Sequence, residues 1–250
     1  MDVAAYLKRI GYSGPTEPSA KTLRELHRAH LLTVPFENLD IGLKREIVCD
    51  EERFVKKIVE GHRGGFCYEA NGAFAALLRA VGFDVTLLSA RVPHADGSPG
   101  PEFDHLTLRV DLDQPWLADV GFGDGFIDPL RLVPGEEQPQ YGSSYRIQEH
   151  NGSLVLERSQ GDYGWNLQYA FSLTPRKLQE FAPMCHYHQT SPDSPFTRKR
   201  VCSRASEDGR ITVTADRVII TRNGDREERP LGSEEEWKAA LQQHFGIVLG

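Results

Sequence analysis

The sequence RGGFCYE occupies Arg63–Glu69, and the pattern that follows it decides the first part of the fold. After this run, apolar residues recur at the i, i+3, i+4 and i+7 spacing of one helix face, at Phe74, Leu77, Leu78 and Val81. Gly82 then provides a C-terminal stop. The spacing predicts an amphipathic helix that begins at or just after Cys67.

The chain before this run also carries helical patterns. Apolar residues recur at helical spacing over residues 3–10 and around Leu23–Leu26, and Asp50 caps a third run that stops at Gly61. The first third of the chain is therefore predicted to be helical.

From about residue 84 the pattern changes to the period of two that is typical of strands. Strands are predicted near residues 85–92, 105–112 and 116–122, and strict alternation over Trp165–Phe171 predicts another with one buried aromatic face. The last segment alternates again before a helix that a capping box opens at Ser233. Helices followed by strands and a mixed tail favour an α+β fold over a wound parallel sheet.

Composition and charge exclude several classes of protein. With 250 residues, 39% of them apolar and 26% charged, the chain has the material for a sizeable core. Its formal net charge of -7 argues against a general nucleic-acid-binding protein, which needs surplus Lys and Arg to neutralise phosphates. The start lacks a secretory pattern, and no stretch approaches the ~18 apolar residues of a membrane span. We expect a cytoplasmic protein with neither nucleic-acid nor membrane partners.

Four cysteines, at Cys49, Cys67, Cys185 and Cys202, lie far apart without a CxxC pair, and in a reducing compartment they are thiols. Cys67 differs from the others because Gly64-Gly65 precedes it and a predicted helix begins at it. The glycines allow a sharp turn and a close substrate approach, while the helix N-terminus favours a thiolate. The same pattern also fits a simple turn with a buried structural cysteine.

A catalytic cysteine needs a base, and the base needs an acceptor that orients it. His105 shares one predicted strand face with Thr107, and Asp119 places a carboxylate in a largely apolar strand, where a buried acid requires a partner. A simple hairpin, however, pairs Asp119 with a residue near Leu108 and leaves His105 roughly 10 Å away along the strand. Bringing Cys67, His105 and Asp119 together therefore requires a bulge, a slipped register or strands that are not neighbours.

Four ordered segments resemble motifs of the arylamine N-acetyltransferase family. Arg63–Glu69 matches its RGGxCxE motif, Asp119–Gly123 matches DVGFG, and His105 lies between them at the start of a strand. Residues 34–38 (VPFEN) and 189–196 (QTSPDSPF) are similar to two further family segments.

The resemblance implies a fold and a catalytic triad. It implies a papain-like helical domain at residues 1–84, an antiparallel β-barrel domain at 85–190 and a small α/β C-terminal lid at 191–250. Cys67 is then the acylated nucleophile, His105 the base and Asp119 the residue that orients it. The pocket walls carried over are Phe36, Val92 and Phe122, all of which also fit plain core packing.

The same resemblance implies an acetyl-CoA-dependent N-acetyltransferase of xenobiotic metabolism that follows a ping-pong scheme, with acetyl-CoA as co-substrate and no permanently bound cofactor. Its small-molecule partner is an arylamine or arylhydrazine. The basic run Arg198–Arg200 fits either contact with the CoA phosphates or a solvated face.

Three alternative functions stay open at this point. Cys185-His186-Tyr187-His188 holds three potential metal ligands in four residues, although no second cluster completes a zinc site. A cysteine hydrolase uses the same triad. An amide synthase that acts on a carrier-bound acyl chain shares the fold.

Overall fold

The computed structural model describes residues 1–150, 152–161 and 164–249. Its first 80 residues are mainly helical, as predicted, and contain α1 (Val3–Arg9), α2 (Ala20–Thr33), β1 (Phe36–Glu37), α3 (Leu39–Gly42), α4 (Glu51–Val59) and α5 (Cys67–Ala80). Asp2, Ser19 and Asp50 begin α1, α2 and α4, because each side chain accepts a hydrogen bond from the N–H three residues later.

Helix α5 lies at the centre of this half and packs against α4 and two strands of the following sheet. The sequence predicted an amphipathic helix, yet every residue from Cys67 to Leu78 is buried. The helix face opposite the predicted apolar one is also buried, because its small residues let neighbouring elements pack closely. A Cβ at Gly72, for example, would lie 2.7 Å from the ring of Phe54.

The middle of the chain forms an eight-stranded antiparallel sheet that is barrel-like. Its strands are β2 (Asp84–Arg91), β3 (His105–Asp111), β4 (Pro115–Ala118), β5 (Leu130–Arg131), β6 (Glu137–Gln140), β7 (Ser143–His150), β8 (Ser153–Ser159) and β9 (Trp165–Phe171). They follow the order β5-β4-β3-β2-β9-β8-β7-β6. One face of β2 and β3 packs on α5, so this sheet and the helices share a core.

The last segment forms a second sheet with three helices around it. Its elements are α6 (Ala182–Thr190), α7 (Pro195–Arg198), β10 (Val201–Ser206), β11 (Gly209–Thr214), β12 (Arg217–Arg222), β13 (Asp225–Pro230) and α8 (Glu234–Phe245). β1 pairs with β10, so residues 36–37 extend this sheet. Ser233 is the N-cap of α8, since its side chain accepts from the N–H of Glu236. The Glu236 carboxylate accepts from the N–H of Gly232 and not from that of Ser233, so only half of the predicted capping box forms. The division into 1–84, 85–190 and 191–250 remains a prediction.

These elements confirm the α+β class with an antiparallel, barrel-like sheet. Two local predictions were wrong. The strand predicted near 116–122 ends at Ala118, where the chain leaves the sheet. Leu167 is exposed, whereas Tyr169 and Phe171 are buried as predicted. The pairing of β8 with β9 shifts register between Leu156 and Glu157, so the side chains of β9 before this shift face the opposite way from the predicted alternation.

No helix among the described residues combines the length and the apolar character that crossing a bilayer requires.

Candidate active site

Cys67 is the first residue of α5, with Phe66 as N-cap. Its side chain is buried, with 3% of the residue exposed. The Glu69 carboxylate accepts a hydrogen bond from the N–H of Phe66 at 3.2 Å, so the third residue of the helix stabilises its own N-terminus. The sulfur therefore lies at the helix end where unpaired N–H groups favour negative charge.

The glycines before Cys67 are required by close packing. A Cβ at Gly64 would lie 1.8 Å from the carbonyl oxygen of Pro35, and one at Gly65 would lie 2.4 Å from the Cβ of Glu69. The sequence assigned these glycines to a turn and to substrate approach. The structure instead shows that protein atoms occupy the space beside them.

A buried ionic cluster lies beneath this turn. Lys57 lies 2.7 Å from Glu69 and from Asp40 and 3.5 Å from Glu37, and Arg63 lies 2.7 Å from Glu37 and 3.1 Å from Asp40. Arg45 lies 4.0 Å from Asp40 at the edge of the cluster, so three carboxylates are balanced by three cations. Burial raises the pKa of Glu69 to about 7, because proximity to Lys57 compensates only in part.

His105 begins β3 and bonds directly to Asp119, with 2.6 Å between Nε2 and Oδ2. Both side chains are buried. The sequence required a bulge, a slipped register or strands that are not neighbours for this contact, and none of the three occurs. β3 and β4 are neighbours with Leu108 opposite Ala118, and their pairing is regular. The chain leaves β4 after Ala118, and this departure lets the carboxylate reach the ring.

Asp119 accepts three further hydrogen bonds besides the one from His105. They come from Asn71 Nδ2 at 2.8 Å, the Gly121 N–H at 3.0 Å and the Tyr169 hydroxyl at 2.9 Å. Burial alone raises the pKa of this carboxyl, but the charge of His105 and these bonds lower it below its usual range. Asp119 is therefore held as a carboxylate inside the protein.

The backbone of Asp119 is held by His27 from α2. The Asp119 N–H donates to His27 Nε2 at 3.0 Å, so Nε2 is an acceptor and the Nδ1–H donates to the carbonyl oxygen of Ile127 at 2.7 Å. Burial lowers the pKa of His27 to about 4. The ring stays neutral near pH 7, which this pair of bonds requires.

The Cys67 sulfur lies among the backbone atoms next to His105. It lies 4.0 Å from the carbonyl oxygen of Asp104 and accepts a hydrogen bond from the N–H of Leu106. A Cβ at Gly121 would lie 2.8 Å from the Cα of Cys67, so the loop after Asp119 packs against the start of α5. The structure thus brings together the three residues that the sequence singled out.

Burial raises the pKa of the Cys67 thiol well above its ordinary value, and the charges of Asp104 and Asp119 add to the increase. The backbone bond from Leu106 opposes the increase without cancelling it. The helix N-terminus acts against this effect of burial. An adjacent cation also favours a thiolate, and the Cys67 sulfur lies against the backbone of the two residues that flank His105.

The three predicted pocket residues are partly exposed. The Phe122 ring lies 5.3 Å from the His105 ring, and Phe36 lies 3.5 Å from where a Cβ of Gly123 would be. Val92 directly follows β2 and packs on the same apolar cluster as Phe122. Phe122 thus packs against the His105 ring, and Phe36 and Val92 each lie beside the segment that carries Phe122.

Cys185 and His188 in α6 contact different partners. Cys185 Sγ lies 3.7 Å from the Ile47 carbonyl oxygen, while His188 Nε2 lies 3.1 Å from Asp104 Oδ1, an ion-pair distance without hydrogen-bond geometry. Within the described residues, no group of three or more His, Cys, Asp or Glu side chains is arranged to hold a metal ion.

Comparisons with known proteins cover nearly the whole chain. A family model described as N-acetyltransferase matches residues 19–250. The chain is 34% identical to the arylamine N-acetyltransferase pineal gland isozyme NAT-3 of Gallus gallus, with 100% of this chain and 95% of that one covered. It is 30% identical to proansamycin X synthase of Amycolatopsis mediterranei, with 97% and 96% covered.

The fold is also similar to that of a solved structure. The Mycobacterium marinum arylamine N-acetyltransferase in complex with CoA matches with a TM-score of 0.91 and 31% identity, covering 98% of this chain and 93% of that one. The likeness therefore includes both sheets and the elements that carry Cys67, His105 and Asp119.

Proposed function

The chain belongs to the arylamine N-acetyltransferase family, and on that basis we propose that it moves an acetyl group from acetyl-CoA to an aromatic amine through Cys67. The observation that carries the proposal is a buried His105–Asp119 pair, 2.6 Å apart, beside a cysteine at a helix N-terminus. This arrangement supplies a nucleophile, a proton acceptor and a residue that orients the acceptor.

The first half-reaction loads the enzyme. Because Asp119 binds Nε2 of His105, the other ring nitrogen is left for the proton of the Cys67 thiol. The thiolate attacks the carbonyl carbon of the acetyl thioester, and the bond to the CoA sulfur breaks. The imidazolium then protonates the departing sulfur, which leaves acetyl-Cys67 and a neutral His105.

The second half-reaction transfers the acetyl group to the amine. A neutral aromatic amine attacks the acetyl carbon, the bond to the Cys67 sulfur breaks, and His105 takes the proton from the amine nitrogen. The products are the acetylated amine and the original thiolate–imidazolium pair. Phe36, Val92 and Phe122 are proposed as apolar walls for the aromatic ring, with support from the ring contact between Phe122 and His105.

A cavity of about 550 Å³ beside α7 supports a site for the nucleotide part of acetyl-CoA. Phe196 lines the cavity, and its ring lies 5.7 Å from that of Phe66, the residue before Cys67. Arg198, Lys199 and Arg200 also line it. Arg200 already holds Glu234 with two bonds of 3.0 Å, and Arg198 donates to the carbonyl oxygens of Asp193 and Ser194. We therefore propose Lys199 as the main phosphate contact.

Neither alternative enzyme class is favoured. The family model that matches most of the chain describes N-acetyltransferase. Cytoplasmic location is proposed from the four free thiols.

Intact-mass measurement tests the loading step. Acetyl-CoA without amine should add one acetyl group that persists and is lost on addition of an arylamine such as aniline. The Cys67→Ser variant should stay unmodified, while Cys202→Ser, which removes a buried thiol from β10, should be loaded normally. Stoichiometric acetylation of Cys67→Ser, or equal acetate release with and without amine, would contradict the proposal.

The nucleotide contact is tested with two acetyl donors. Lys199→Gln should raise KM for acetyl-CoA several-fold and leave the rate with p-nitrophenyl acetate unchanged, because that donor has no phosphates. Lys21→Gln, whose side chain is 79% exposed on α2, is the matched control and should change neither. A rate loss with both donors would place Lys199 in the fold rather than in nucleotide binding.

A further inference from the structure

Two thiols outside the proposed active site lie on neighbouring elements. Cys185 Sγ is 3.7 Å from the carbonyl oxygen of Ile47, two residues before Cys49, and Cys49 packs against the apolar cluster that contains Cys185, although the two cysteines are 136 positions apart in the sequence. Cys49 precedes the N-cap of α4 and is partly exposed, whereas Cys185 in α6 is buried. Both are free thiols in the structure.

Gln189 of helix α6 holds the segment before α4 with two hydrogen bonds to Ile47. The Ile47 N–H donates to Gln189 Oε1 at 2.7 Å, and Gln189 Nε2 donates back to the Ile47 carbonyl oxygen at 2.9 Å. The same Nε2 lies 3.3 Å from the Cys185 sulfur. Ile47, two positions before Cys49, is thus fixed against the turn of α6 that carries Cys185.

The two thiols differ in pKa and in exposure to solvent. Interaction with Cys185 lowers the pKa of the Cys49 thiol. Interaction with Cys49, together with burial, raises the pKa of Cys185. Cys49 is also the partly exposed member of the pair, so it is the thiol that a hydroperoxide reaches first, and the buried Cys185 is its partner.

We propose that Cys49 and Cys185 are a reversible oxidation site, at which a hydroperoxide converts the thiol pair into a disulfide. The Cys49 thiolate attacks the distal peroxide oxygen, the O–O bond breaks, and Cys49 sulfenic acid forms with release of water or alcohol. The Cys185 sulfur then attacks Cys49 Sγ, the S–O bond breaks and a second water leaves. The peroxide is reduced by two electrons, and a dithiol restores both thiols.

Disulfide formation would fasten α6 to the segment before α4. Helix α6 also carries His188, whose Nε2 lies 3.1 Å from Asp104 Oδ1. The Asp104 carbonyl oxygen in turn lies 4.0 Å from the Cys67 sulfur. The helix that carries Cys185 therefore also contacts the wall of the proposed active site through His188, yet the oxidation site stands independently of any role for Cys67.

Peptide mapping tests the site. The full-length protein is treated with a small excess of hydrogen peroxide, alkylated with N-ethylmaleimide under denaturing conditions and digested with trypsin without reduction. We expect peptide Glu46–Arg53 linked to peptide Leu178–Arg198, with two hydrogens fewer than the separate peptides. Dithiothreitol should release both.

Single-thiol variants provide the controls. Cys49→Ser should keep the fold, because its position is partly exposed, and should abolish the link; Cys202→Ser should retain it. Cys185→Ser should leave Cys49 as a sulfenic acid that a dimedone probe labels. The proposal is overturned if peroxide leaves Cys49 and Cys185 both alkylatable, oxidises Cys49 to sulfinic acid without a link, or links Cys49 to Cys67.

Discussion

Replacing Asp119 with asparagine should preserve the fold and slow the acetylation of Cys67 severely. The carboxylate accepts four hydrogen bonds, whereas an amide of the same shape offers one acceptor oxygen. If that oxygen keeps the bonds from Asn71 and Gly121, the NH₂ group faces His105 and Tyr169. His105 Nε2 must then become an acceptor, which moves the ring proton to Nδ1 and removes the base from the sulfur.

The size of the effect follows from the bond that is lost. The contact of 2.6 Å between Nε2 and Oδ2 becomes a charge-assisted bond once His105 accepts the proton, and both side chains are buried. Together with the unfavourable tautomer, its loss costs about 3–4 kcal/mol. At about 1.4 kcal/mol per factor of ten, the rate constant should fall by between two and three orders of magnitude.

The assay is single-turnover acetylation followed by intact-mass measurement, combined with the pH profile of Cys67 alkylation by iodoacetamide. Asp119→Asn should shift the alkylation midpoint to higher pH. Asp124→Asn is the matched control, because that carboxylate lies in the same loop but pairs with Arg158 and Arg210. An Asp119→Asn rate within about threefold of the parent, with the same alkylation midpoint, would refute the assigned role.

Two further predictions concern stability and packing. Because Glu69 has a raised pKa of about 7 against an ordinary 4.5, the folded state holds its proton more tightly than the unfolded state, and this stabilisation is present below pH 4.5 and lost as pH rises through 7. This stabilisation amounts to about 3 kcal/mol. The free energy of unfolding in urea should therefore depend less on pH between 5 and 8 in Glu69→Gln than in the parent; an unchanged dependence would show that another group is responsible. Gly121→Ala should lower acetylation and cost about 1–3 kcal/mol of stability, because its Cβ would lie 2.7 Å from Asn71 Nδ2 and 2.8 Å from the Cys67 Cα. Thermal unfolding should show this loss, while Gly125→Ala, whose Cβ meets only Phe122 at 3.4 Å, should be tolerated; equal behaviour of the two variants would contradict the packing argument.

The sequence could predict part of the candidate site. Cys67 was identifiable because the glycines and the helix that mark it are its immediate neighbours in the chain. Asn71 was missed, although its spacing of four from Cys67 places both on one helix face, and that spacing was an available signal. Tyr169 was identified only as an aromatic strand residue, because nothing near it in sequence indicates a hydrogen bond to Asp119.

His27 had no sequence signal at all. It lies 92 positions from Asp119, and its role depends on α2 packing beside the end of β4. The ionisation of Cys67 was also beyond the sequence. A helix N-terminus predicts a lowered thiol pKa, and only the burial seen in the structure reverses that direction.

The sequence by itself determined the helices, their caps, the change of period near residue 84 and therefore the α+β class, because these features depend on residues within one or two turns of each other. The tertiary structure alone decided that Asp119 reaches His105 and that the segment before α4 lies against Cys185. Both contacts depend on where a strand ends and how distant elements pack. Such positions are set by the sum of many core contacts, which no local pattern records.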